Sequence, residues 1–328
     1  MMENILVTGG AGYIGSHACK ALRRAGYNPV TFDNLSTGWS DAVKFGPLEI
    51  GDLRDFTTIE NAFKKHKPIA VMHFAALSQV GESVHNPSLY WGNNLYGSLN
   101  LINAAVANGC EKFIFSSTCA TYGEQDNILL NEDCMQKPIN AYGASKLAVE
   151  NILSNYSYAK QIKFVAFRYF NVAGADLERE IGEQHEPETH LIPRTLGVLG
   201  SKDQAITIYG TDYDTRDGTC IRDYVHVVDL VEAHILGLKW LNQGHDSAFF
   251  NLGTGVGFSV REVISEICNV TDRDLNIIEG PRRAGDCAKL VSSSLRAMAE
   301  LGWSCERSNL RQMIVDSWEW HQQSKYLE

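Results

Sequence analysis

No two cysteines of this chain form a C-x-x-C pair; the eight stand singly at 19, 110, 119, 134, 220, 268, 287 and 305. That scatter argues against a disulfide framework and against a cysteine-held zinc ion. Reduced thiols, no metal ligands and a cytoplasmic location are therefore expected. A basic excess is missing too. Lys and Arg number 29 against 39 Asp and Glu, and the net charge of −10 excludes a broad nucleic-acid-binding face. It leaves room for small anionic ligands, because phosphates can be held by backbone N–H groups and a few arginines. No apolar run is long enough to span a bilayer. Met1-Met2-Glu3-Asn4 leads into an apolar strand without the basic start of a signal peptide. Internal repeats, sustained heptads and low-complexity tracts are also lacking.

What remains is ordinary globular material, 328 residues with 44% hydrophobic and 21% charged, enough for a real core. Short Val/Ile/Phe runs predict strands at Asn4–Thr8, Pro29–Asp33, Ile69–Phe74, Lys112–Ser116 and Lys163–Arg168. Helical patterns lie between them, near 13–26, 55–66, 89–108 and 143–160. Continuous apolar strands separated by helices imply a parallel sheet covered on both faces, an α/β doubly wound, Rossmann-like fold. After about residue 172 the pattern loosens. Strands at Ile206–Tyr209, Phe249–Leu252 and Leu275–Ile278 alternate with helices at Asp229–Leu241, Val260–Cys268 and Leu310–Gln322. Trp318 and Trp320 of the last helix are expected in a core. The chain thus divides into 1–172, a larger α/β domain, and 173–328, a smaller domain. Elements of about 225–252 are expected to return to the first.

The first strand ends in Thr8-Gly9-Gly10-Ala11-Gly12-Tyr13-Ile14-Gly15, with glycines spaced three apart at 9, 12 and 15. Such a loop turns tightly, lets backbone approach a pyrophosphate and delivers it to a helix N-terminus. Asp33 closes the next strand 18 residues after Gly15. A carboxylate there accepts hydrogen bonds from a free ribose 2′-hydroxyl and repels a 2′-phosphate, which favours NAD over NADP. The plainer reading of Asp33 is a turn cap before Asn34. Asp52 and Leu53 end a further apolar stretch and could meet adenine, or Asp52 could cap the following helix.

Tyr142 and Lys146 stand four apart at the start of a helical pattern and share one face. A phenol with an ordinary pKa of about 10 is a poor base at neutral pH. A neighbouring ammonium is expected to lower it, so the pair can take a hydroxyl proton while hydride leaves the same carbon. Alone, the spacing is commonplace. Here it follows the Lys112–Ser116 strand, whose end carries Thr118, at the carboxyl edge where doubly wound sheets bind ligands.

These features, with His73-Phe74-Ala75-Ala76, make the chain resemble the extended short-chain dehydrogenases/reductases. Val80-Gly81-Glu82-Ser83, Arg168-Tyr169-Phe170-Asn171, Gly218-Thr219 through Arg222-Asp223-Tyr224, and Arg282-Arg283 through Asp286 narrow the resemblance to the UDP-glucose 4-epimerase family, over nearly the whole chain. The resemblance implies Tyr142 as base, Lys146 as its electrostatic partner and ribose ligand, and Thr118 as hydroxyl orienter. It implies NAD contacts from Gly9, Gly12, Tyr13, Ile14, Gly15, Asp33, Asn34, Asp52, Leu53, Phe74, Ala75, Ala76, Ser78, Asn93, Lys146 and Phe170. It places Asn171, His190, Leu191, Thr207, Tyr209, Arg222, Arg283, Asp286 and Leu290 on the UDP-sugar. A homodimer through the helices near 89–108 and 143–160 is typical of such enzymes.

Three positions depart from the pattern. Ser78 stands where some relatives carry lysine, His190 where asparagine is frequent, and Leu290 where residue size is thought to limit the C2 substituent. Other readings stay open: an epimerase for UDP-xylose/arabinose, UDP-GlcNAc or a uronic acid, a nucleotide-sugar 4,6-dehydratase, and a non-catalytic NAD(H)-binding protein. The dehydratase is disfavoured because Cys119-Ala120 follows Thr118 where that family carries Asp-Glu.

Overall fold

A computed structural model describes residues 2–125, 129–199, 201 and 204–323. Its first half runs β1 (Asn4–Thr8), α1 (Tyr13–Arg24), β2 (Asn28–Asp33), β3 (Leu48–Ile50), α2 (Phe56–His66), β4 (Ala70–His73), α3 (Val80–His85), α4 (Pro87–Tyr90), α5 (Gly97–Ala107), β5 (Lys112–Ser116), α6 (Ala141–Tyr158) and β6 (Lys163–Tyr169). The second half adds β7 (Asn171–Ala173), α7 (Leu191–Val198), β8 (Ile206–Tyr209), β9 (Ile221–His226), α8 (Val227–Asn242), β10 (Ala248–Leu252), β11 (Gly257–Ser259), α9 (Val260–Thr271), β12 (Ile277–Gly280), β13 (Lys289–Leu290) and α10 (Leu310–Gln323).

Seven strands form one all-parallel sheet in the order β3-β2-β1-β4-β5-β6-β10. The chain winds outward from β1 to β3, then crosses to β4 on the other side of β1. That reversal opens a crevice at the carboxyl ends of β1 and β4, the place where this architecture takes its ligands. Both faces are covered, which explains the uninterrupted apolar runs. Ile5, Val7, Met72, Ile114, Val165 and Phe167 pack toward α1 and α8. Their neighbours Leu6, Val71, Phe113, Phe115 and Phe164 pack on the opposite face, with Leu101 and Ala105 of α5 and Val149 and Leu153 of α6.

β10 pairs in register with β6, Ala248 against Val165 through Leu252 against Tyr169, so a strand from the second half completes the sheet. The remaining strands build the smaller part. β9 is flanked by β11 (antiparallel) and β13 (parallel), β7 pairs with β9, and β8 pairs with β12. A separate core there gathers Ile192, Leu196, Val263, Ile267, Met313 and Ile314, and Trp320 is buried while Trp318 is part-buried.

The strand read at Leu275–Ile278 lies slightly later, at Ile277–Gly280. Five strands escaped the sequence: β3, β7, β9, β11 and β13. β3 is a three-residue edge whose Ile50 is exposed. β9 carries Arg222 and Asp223 inside it, and these break its apolar pattern. The helical run expected at 89–108 extends from Pro87 to Ala107 but is interrupted by a π-helical turn, Trp91–Tyr96.

Candidate active site

A cavity of about 840 Å³ opens at the carboxyl ends of the main strands and continues into the smaller part. A second cavity, about 610 Å³, lies at the opposite, amino-terminal edge around Lys67, Pro68 and Glu111, far from every motif residue.

One end of the larger cavity is the glycine loop. Gly9 turns with φ +74°, donates its amide to the Phe32 carbonyl at 3.0 Å, and a Cβ on it would press on the Ala75 amide. A Cβ on Gly15 would collide with the Gly9 carbonyl, so α1 can start against the loop only with glycine there. A Cβ on Gly12, the N-cap of α1, would meet nothing closer than the Gly9 carbonyl at 3.4 Å, and no side chain caps the helix. The helix N-terminus therefore faces the cavity with its N–H groups available to an anion. Asp33 accepts the amides of Ala11 (3.0 Å) and Leu35 (2.9 Å). It is a turn cap and a cavity-facing carboxylate at once, and burial raises its pKa. Asp52 is gripped by Arg54 and bonded by Asn34 at 3.1 Å. The cap of α2 is Asp55, whose side chain accepts from the Thr57 amide, so Asp52 is not that cap. Tyr13, Ile14, Leu53, Phe74, Ala75, Ala76, Ser78, Asn93 and Phe170 line the same wall. The donor set fits a dinucleotide: free helix-start amides for phosphate, and a carboxylate one strand over for ribose.

At the middle stand Thr118, Tyr142 and Lys146. Asn140 caps α6 by accepting the Gly143 amide at 2.8 Å. A Cβ on Gly143 would clash with the Ala120 carbonyl, so glycine lets the first turn of α6 lie on the turn after β5. That contact brings Tyr142 into hydrogen-bond reach of Thr118. Lys146, one turn on, is buried; its ammonium donates to the Ser116 carbonyl at 2.8 Å and lies 4.9 Å from the centre of the Phe115 ring. Burial pushes it down to about 7, against the pull of Glu150. Tyr142 departs from the sequence expectation. Its phenol is pushed up to about 12 by burial, which outweighs the Thr118 hydrogen bond. The reason is that Lys146 points at a backbone carbonyl and is itself hard to charge, so the protein alone does not favour the phenolate.

The far end is cationic. Arg222 of β9 is mostly buried, and its guanidinium lies 3.8 Å from Asp286. Arg283 is half exposed, holds Asp286 at 3.1 and 3.2 Å, and lies over the Tyr209 ring. Asn171, His190, Leu191 and Leu290 complete the lining. Thr207 does not belong to it. It lies two residues before Tyr209 on β8, some 7 Å back along the strand, against Gly280.

Several residues escaped the sequence. Asn94, in the π-helical turn, holds Leu77 by both its amide and its carbonyl at 2.9 Å, fixing the loop after β4. Its only sequence signal was a polar residue inside an apolar helix. Asn140 and Gly143 carry the N-cap and close-approach signals described above. The loop before α7 gathers Glu183, His185, Glu188 and His190, whose ligand-type atoms all lie within 4.8 Å of one another, although no metal ligands were expected. Burial would lower His190, yet Glu183 and Glu188 lift it to about 9; its ring is half exposed, so water screens part of that pull.

Residues 5–253 match the NAD dependent epimerase/dehydratase family. The chain belongs to that family. Among its members, the UDP-glucose 4-epimerase of Rhizobium meliloti strain 1021 is 47% identical over 319 residues, 97% of each chain. A crystal structure of UDP-glucose 4-epimerase from Brucella ovis in complex with NAD superposes with a TM-score of 0.93 at 43% identity, over 97% of this chain and 98% of that one. The Bifidobacterium longum enzyme, solved with NAD+ and UDP, gives 0.93 at 34% identity with the same coverage. In this family the glycine loop and the parallel sheet form the NAD-binding fold that the order β3-β2-β1-β4-β5-β6 displays.

Proposed function

We infer that the protein is an isomerase, an NAD-dependent epimerase inverting C4 of UDP-hexoses and thus interconverting UDP-glucose and UDP-galactose through a transient 4-keto sugar. The observation that carries this reading is one cavity joining a glycine loop, a Thr118–Tyr142–Lys146 set and an Arg222–Arg283 pair. The names of the matched enzymes, and the NAD and UDP in the solved structures, support it.

Bound NAD would take up the C4 hydride, give it back, and lend the positive charge that the protein withholds from Tyr142. Gly12 and the start of α1 would hold its diphosphate, and Asp33 a ribose. Tyr142 takes the C4 hydroxyl proton and later returns it. Thr118, bonded to Tyr142, orients that hydroxyl. Lys146, fixed on the Ser116 carbonyl, binds ribose and supplies charge as the proton moves. Arg222, Arg283, Asp286 and Tyr209 hold UDP, while the sugar is held loosely enough to turn about its diphosphate link. Return of hydride to the opposite face then inverts C4.

The dehydratase alternative lacks its acid and base. Cys119 follows Thr118, and burial holds that thiol far above the neutral range. Pentose and uronic-acid substrates differ only at the sugar, toward which we assign Leu290 of the cavity wall. Exposed Leu89, Trp91 and Tyr96 on the interrupted helix support a homodimer through that face. We assign residues 1–172 to cofactor binding and 173–328 mainly to UDP-sugar binding. Among the described residues no helix is long and apolar enough to cross a membrane, and we place the protein in the cytoplasm.

The test is incubation with UDP-galactose, without added NAD, followed by proton NMR. UDP-glucose should appear. Silence with NAD supplied, and turnover of UDP-xylose instead, would overturn the hexose assignment.

A further inference from the structure

Glu183, His185, Glu188 and His190 come from eight consecutive residues, and three of them, Glu183, His185 and His190, line the substrate cavity. A four-coordinate ion with bonds of about 2.1 Å needs ligand atoms about 3.4 Å apart. His185 Nδ1 lies 3.4 Å from Glu188 Oε2 and 3.6 Å from Glu183 Oε1, and His190 Nδ1 lies 3.9 Å from Glu188 Oε1. The His190–Glu183 contact, 2.5 Å, is closer and would open by about 1 Å.

The frame is held from outside the cluster. The Trp320 indole donates to the Glu183 carbonyl at 3.1 Å, and the Trp39 indole donates to the Gln184 carbonyl at 2.9 Å. Glu188 Oε1 accepts the amides of Thr189 and His190 at 2.8 and 2.9 Å, which orients its carboxylate. Supports of this kind are what fix ligand geometry around an ion. The Glu183 side chain is only 7% exposed, and without an ion its charge is met by His190 at 2.5 Å, whose proton a bound cation would replace.

We propose that these four side chains form a tetrahedral site for a zinc-class divalent cation in the wall of the substrate cavity. Two imidazoles and two carboxylates favour Zn²⁺ over Mg²⁺ or Ca²⁺, which want all-oxygen shells. Four protein ligands close the coordination sphere and leave no position for a reacting water. The ion therefore fixes the loop ahead of α7, from which Leu191 faces the substrate, and takes no part in the chemistry.

The full-length protein, treated with chelator and dialysed, is titrated with ZnCl2 in a calorimeter. One ion per chain should bind, and His185→Gln and Glu188→Gln should each weaken binding at least tenfold while keeping the circular dichroism of the parent. Unchanged affinity in both variants overturns the site. X-ray absorption of the zinc-loaded parent decides independently of any variant's folding. Only nitrogen and oxygen neighbours at about 2.0–2.2 Å support the proposal, whereas sulfur at about 2.3 Å would assign the ion to cysteines and overturn it.

Discussion

Tyr142 and Lys146 sit one helical turn apart, and each is held away from the charge state a simple acid–base pair would adopt. A phenol that burial holds protonated beside an amine that burial makes hard to charge is poised, and charge arriving with ligand completes it. Tyr142→Phe should cost a factor of about 10² to 10⁴ in kcat while NAD stays bound; near-normal turnover would remove Tyr142 from the mechanism. Lys146 makes a second prediction, in stability. Its folded value of about 7 lies below the ordinary 10.5. Between those values the unfolded chain binds more protons, so stability rises with pH across that window, and the full penalty applies below about 7. Lys146→Met should therefore be inactive yet more stable near neutral pH, by on the order of 2 kcal/mol, and should lose the rise. Urea midpoints at neutral pH and near pH 9.5 check this; parallel pH slopes for parent and variant would refute it.

Among elements, β9 shows how position and function share a strand. Asp223 is buried and accepts the Thr254 amide and hydroxyl, the Gly255 amide and the Ser292 amide, tying two loops to β9. Arg222 beside it turns into the cavity. Asp223→Ala would strand those donors and should cost about 3 kcal/mol, with weaker UDP binding as the loops loosen. Unchanged thermal stability would contradict this role. The same strand marks the limit of legibility. β1, β2, β5 and β6 were readable because both their faces are buried, and their composition is uniform as a result. β9 was not, because Arg222 serves a ligand and Asp223 serves a network, and both disguise the pattern. The π-helical turn at Trp91–Tyr96 was equally silent, since a shift from four to five residues per bond leaves no mark in composition. Individual cavity residues were legible through spaced motifs, whereas the Glu183–His190 cluster sits in a polar loop whose folding back only coordinates reveal.

For the whole molecule, the two parts read from the sequence share one sheet, in keeping with the expected return of elements of about 225–252 to the first. β10 pairs along β6, and α8 covers the face formed by Ile5, Val7 and Phe167 against α1. A fragment of residues 1–172 would expose both that face and the free edge of β6. Light scattering should find it aggregated, and it should not retain NAD; a monodisperse, NAD-binding fragment would show that the first domain stands alone.

The return of β10 also sets a clock. A ribosome adding roughly 5–20 residues per second needs on the order of ten seconds to pass from the end of β6 at Tyr169 to the end of β10 at Leu252. For that interval every nascent chain carries an apolar strand edge in a crowded cell. The yield of this protein should therefore depend on chaperones that shield emerging chains, more than its final stability suggests.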